Sequence, residues 1–88
     1  MKQISLTLTN PVGLHARPAA EMVKAAAKFK SKITLEGNGR KADAKSIIMV
    51  LGMGLRQNDV ITISAEGADE EAAIEILEEL VKQRFQNN

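Results

Sequence analysis

At 88 residues, with 44% hydrophobic and 26% charged side chains, the chain suits one compact domain over 1–88 and is too short for two. A net charge of +1 and only two aromatics, Phe29 and Phe85, give neither the cationic field nor the stacking platform that nucleic acid requires. With no cysteine, disulfides, thiol catalysis and thiolate metal sites are excluded, and a single histidine argues against zinc, so neither metal nor cofactor is expected.

The first residues alternate polar and apolar and lack the apolar core of a signal peptide. No apolar run approaches the roughly 20 residues of a membrane span, so a soluble cytoplasmic domain without membrane insertion is expected. Residues 4–9 alternate, with Ile4, Leu6 and Leu8 facing one way and Ser5, Thr7 and Thr9 the other, as in a half-buried strand. Asn10 and Pro11 break it, and Gly13 loosens the loop that follows. An alanine-rich helix is predicted over 16–29, its buried face formed by Ala19, Met22, Val23, Ala26 and Phe29.

Ile33 and Leu35 mark a second strand. Gly37-Asn38-Gly39 signals a hairpin, with Arg40 to Asp43 as the short return strand. Ser46 is placed to cap a short helix over the apolar run that follows, although the β-branched residues there also suit a strand. Asn58 and Asp59 mark a turn before an alternating strand from Val60 to Glu66. Asp69 is positioned to cap the last helix, with Glu70 and Glu71 in its first turn and an apolar stripe of Ala73, Ile74, Leu77, Leu80, Val81 and Phe85. The order β-α-β-β-α-β-α points to an α+β domain with an antiparallel sheet covered by helices on one face.

His15 lies where a loop turns into the first helix. A helix N-terminus offers free N–H groups and the positive end of the macrodipole, so it favours phosphate. The same dipole disfavours imidazolium and keeps the ring neutral and nucleophilic. Arg17 supplies a second fork of donors, and Pro18 fits a first turn in which its missing N–H costs little. A lone loop histidine is more often idle, and the residues by themselves leave both readings open.

The run from Gly13 to Ala19, Gly-Leu-His-Ala-Arg-Pro-Ala, resembles the active-site signature of the HPr family, the histidine-containing phosphocarriers of the bacterial phosphotransferase system. The segment from Asn38 to Ile47 is similar to the family's regulatory-serine region, and the less specific segment from Ile61 to Glu70 also fits. The resemblance implies an open-faced β-sandwich, with four antiparallel strands under three helices. It implies that His15 accepts a phosphoryl group on Nδ1 from Enzyme I, charged by phosphoenolpyruvate, and passes it to EIIA domains of sugar permeases. Arg17 would then steady the phosphate. Such a protein is a carrier and not an enzyme in its own right, and it is expected to be a monomer.

By the same resemblance Ser46 is the target of an HPr kinase/phosphorylase, with a catabolite regulator as a further partner. That role is compatible with capping, because phosphate at an N-cap is favoured by the dipole yet opposes docking of an acidic Enzyme I. Residues 47–55 carry no charge, and so short a helix cannot bury every side. Apolar residues left outside read as a docking patch. By the resemblance, Ile47, Ile48 and Leu51 would form it beside His15, joined by Ala20 and Lys24 from the first helix. Gly52 stands where many members carry serine or threonine, and Ile48 where phenylalanine or methionine is frequent. The rival reading is a regulatory binding module, of nitrogen-branch or catabolite-control type, acting through Ser46 and the 47–55 patch. Nitrogen-branch carriers keep the histidine block, so that block does not by itself specify sugar uptake. Some relatives that serve only as regulators replace the histidine, and His15 argues against that class.

Overall fold

A computed structural model of the chain describes residues 1–10 and 16–84. The elements follow the expected order: β1 (Lys2–Thr7), α1 (Ala16–Ala26), β2 (Lys32–Gly37), β3 (Arg40–Asp43), α2 (Ile47–Gly52), β4 (Val60–Glu66) and α3 (Glu70–Arg84). The strands form one antiparallel sheet in the order β1-β4-β2-β3.

Register explains why one face is buried. Ile4 lies opposite Ile63, Ile63 opposite Leu35, and Leu35 opposite Ala42, so one apolar row crosses all four strands. The adjacent row on the other face, Ser5, Thr62, Glu36 and Lys41, is polar. Period two sends the two rows to opposite sides. On the open face the hydroxyls of Ser5 and Thr62 are hydrogen-bonded at 2.8 Å, and Ser64 Oγ donates to Gln3 Oε1 at 3.3 Å. On the covered face α3 lies over β1 and β4, α2 reaches β3, and α1 packs between α2 and α3. Met22, Val50, Leu77 and Val81 are fully buried there against Ile33, Leu35, Ile61 and Ile63.

Asn38 and Gly39 both adopt left-handed backbone, with φ of 53° and 72°. This is the pair of positive φ values that matches a two-residue hairpin to the strand twist. The apolar run after Ser46 is a helix, so its strand alternative is excluded. Val50 alone of α2 is wholly buried, and the chain then turns Met53 and Leu55 into the core.

Three boundaries or contacts differ from the sequence-based expectation. Strand β1 stops at Thr7; Leu8 is still buried and exchanges hydrogen bonds with the turn at Asn58 and Asp59. Helix α1 stops at Ala26, and Lys28 and Phe29 close tighter bonds to the carbonyls of Ala25 and Ala26. Lys45 Nζ then donates to the freed Phe29 carbonyl at 2.7 Å.

Asp69 precedes α3 as expected, and its carbonyl accepts from Ala73 N–H at 3.0 Å. Its carboxylate turns instead to the α1–β2 connection, accepting from the N–H groups of Lys30 at 2.8 Å and Ser31 at 2.9 Å, and from Ser31 Oγ. The Ser31 hydroxyl first, and then the Lys30 N–H, hold the Asp69 carboxyl below its ordinary value. Glu70 reaches back to accept from Gly67 N–H at 3.1 Å, which holds the turn leading into α3. That bond first, then the amino terminus 3.1 Å away, lowers the Glu70 pKa.

Candidate functional site

His15, with Gly13 and Leu14 before it, lies outside the described residues, as does Phe85 of the predicted α3 stripe. The site is therefore built from the two helices whose sequence neighbours it. Ala16 and Arg17 open α1 and are exposed, while Pro18 and Ala19 in the same turn are buried. Proline suits this turn because its ring presets φ and no N–H is lost. Arg17, Ala20 and Lys24 recur at spacings of three and four, so they form one exposed stripe along α1.

Helix α2 packs against α1. Its N-terminus is set by Ser46, whose backbone is extended and whose Oγ accepts from Met49 N–H at 3.3 Å. The amide of Lys45 is held in turn by Asp43 Oδ1 at 2.9 Å. With Val50 facing inward, the other side of the turn must face out. Ile48 is 81% exposed, Met49 48% and Leu51 39%, whereas Ile47 is half-buried against the core. Ile48, Met49 and Leu51 thus form an exposed apolar face on α2, with Ile47 half-buried beside them, and Met49 is a residue that the sequence pattern did not single out. Helical periodicity around a buried Val50 is the signal that would have found it.

Cations border this apolar patch. Arg40 Nη1 donates to the Gly52 carbonyl at the end of α2, at 2.8 Å, and Lys45 stands at its start. The acidic residues of α3, Glu70, Glu71, Glu75, Glu78 and Glu79, lie on another helix, away from α2. Among the described residues no group of three acidic or imidazole side chains could hold a metal ion, and no helix is long and apolar enough to cross a membrane.

An open-faced sheet under three helices, with an arginine in the first turn of α1 and an uncharged exposed α2 beside it, defines a small α+β domain built to present a surface. The PTS HPr component phosphorylation-site family model matches residues 2–83. A phosphocarrier protein HPr of Buchnera aphidicola is 51% identical over 77 residues, covering 88% of this chain and 91% of the relative. The crystal structure of HPr-C-His from Thermoanaerobacter tengcongensis superposes with a TM-score of 0.92 at 43% identity, covering 100% and 99% of the two chains. The Bacillus subtilis catabolite-repression protein Crh, crystallised as a swapped dimer, superposes with a TM-score of 0.75 at 35% identity, covering 97% and 98%. The chain belongs to the HPr family, the phosphocarriers of the phosphotransferase system.

Proposed function

We propose that His15 is the phosphoryl acceptor. Its Nδ1 attacks the phosphorus carried by phospho-Enzyme I; the new N–P bond forms as the donor's bond to phosphorus breaks, and the group then passes to an EIIA domain of a sugar permease. Arg17, exposed in the first turn of α1, pairs with the phosphate oxygens, and the free N–H groups of that turn share the charge. A helix N-terminus stabilises the charged product without a covalent trap, which suits transfer in both directions. The partner's in-line histidine supplies the rest of the geometry. On this reading the protein is itself a substrate of its partners, not an enzyme, and acts as a cytoplasmic monomer of one domain.

The observation that carries the proposal is an exposed Arg17 in the first turn of α1 together with an exposed apolar face on α2, the helix that packs against α1. Ile48, Met49 and Leu51 give successive partners one adaptable surface, and Ala20 and Lys24 extend it along α1. A phosphate on Ser46 would sit at the N-cap of that same helix and place negative charge in the patch, which is the basis for regulation by an HPr kinase/phosphorylase. Similarity to Crh favours a second reading, a regulatory module that binds a catabolite regulator through Ser46. The two separate cleanly in one assay. Incubation with phosphoenolpyruvate, Enzyme I and an EIIA domain should move phosphate through the chain to EIIA, whereas a purely regulatory module would leave EIIA unlabelled.

A further inference from the structure

The outer edge of β1 is a strand edge with no partner among the described residues, because β1 pairs only with β4. Leu8 N–H donates to Asp59 on the β4 side, and the β1–β4 register runs on into that pair. By the alternation of antiparallel ladders, the N–H and C=O groups of Gln3 and Ser5 therefore point outward. Beside this edge α3 forms an open groove of about 420 Å³. Its floor is apolar, made of half-buried Ile4 and buried Ile74.

Its wall is acidic. Glu71, Glu75 and Glu78 line it at helical spacing, against a single lining cation, Lys2. Glu78 is paired with Lys82 at 3.0 Å, and the amino terminus is taken up by Glu70. Glu71 and Glu75 have no ion-pair partner among the described residues.

We propose that this edge receives an extended peptide segment with lysine or arginine at alternate positions, added as a fifth strand outside β1. Backbone groups of the segment would pair with Gln3 and Ser5. Side chains on the helix side would lay their methylene stems over Ile4 and Ile74 and carry their charge to Glu71 and Glu75. Charge selects this occupant over a second copy of the chain. Pairing two β1 edges would bring both acidic α3 walls together, and like charges repel. The edge also lies at the far side of the sheet from β3 and α2, about 14 Å across three strand spacings. A segment bound there leaves the α2 face free, so the protein can hold one partner while docking another.

The test is a titration of the labelled protein with a synthetic alternating lysine–valine hexapeptide, matched in length to β1. Saturable amide shifts should map to β1 and the first half of α3, and exchange of the Gln3 and Ser5 N–H groups should slow. Glu71→Gln combined with Glu75→Gln should weaken binding about fivefold, the worth of two exposed ion pairs. Ser5→Pro, which removes one outward donor and none that faces β4, should weaken it further. If that variant fails to fold, the glutamine pair decides. Absence of saturation, shifts centred on α2, equal binding of a glutamate–valine peptide, or self-association through β1 would each overturn the proposal.

Discussion

Ser46 joins capping and charge in one side chain, and two substitutions pull them apart. In Ser46→Ala the backbone bonds at the turn persist, because Ser46 N–H still meets the Asp43 carbonyl and the residue's own carbonyl still accepts from Val50. Only the bond from Met49 N–H to the hydroxyl is lost. An N-cap of this kind is worth about 1 kcal/mol. Unfolding entropy of roughly 2.1 cal/mol/K per residue over 88 residues makes that about 5 °C in Tm. Ser46→Asp keeps an acceptor at the cap and adds a charge that the dipole favours, so its Tm should stay near wild type. Calorimetry measures both. Phosphorylation by Enzyme I should respond in the opposite order, with KM raised in Ser46→Asp and little changed in Ser46→Ala. A Ser46→Ala protein as stable as wild type, or a Ser46→Asp protein that loses as much, would refute the capping argument. Equal KM values in all three would refute the electrostatic one.

Other substitutions test the remaining parts. Arg17→Glu replaces an exposed donor fork with a carboxylate and should lower kcat/KM for phosphoryl acceptance at least about tenfold with Tm unchanged, as stopped-flow and thermal melts would show. Leu77→Ala empties a fully buried position between α3 and the sheet and should cost about 3 kcal/mol in urea unfolding. Ile76→Ala on the exposed side of the same helix should stay within about 0.5 kcal/mol. Asp69→Asn removes a carboxylate whose pKa is depressed below the ordinary 3.8. A depressed carboxyl stabilises the fold at higher pH, and that contribution is lost as pH falls through its folded pKa. The stability gap between wild type and Asp69→Asn should therefore be constant near neutrality and narrow below pH 3.8, as unfolding at stepped pH would reveal.

Local chemistry was legible where it was sufficient. The Asn38-Gly39 turn and the Arg40–Asp43 return strand needed nothing beyond residues that accept positive φ and alternating neighbours. Ser46 could be read as a cap because the helix after it follows at once. Asp69 shows the limit. A carboxylate before a helix suggests a cap, yet the three donors that hold it come from Lys30 and Ser31, 39 and 38 residues away in sequence. The same holds for the end of α1, where Lys45 takes the Phe29 carbonyl only once α2 is in place. At the candidate site, Ile48 and Leu51 were legible as outward residues, but Met49 joined them only when Val50 was seen to face the core. His15 was singled out by its neighbours in sequence and by the family those neighbours resemble, and it lies outside the described residues.

The most direct test of the phosphocarrier account is intact-mass analysis after incubation with Enzyme I and phosphoenolpyruvate, on the wild-type chain and on His15→Ala. The account predicts a gain of one phosphoryl group that is lost in acid and never appears on the variant. A gain that survives acid, or one that His15→Ala acquires equally well, would contradict it.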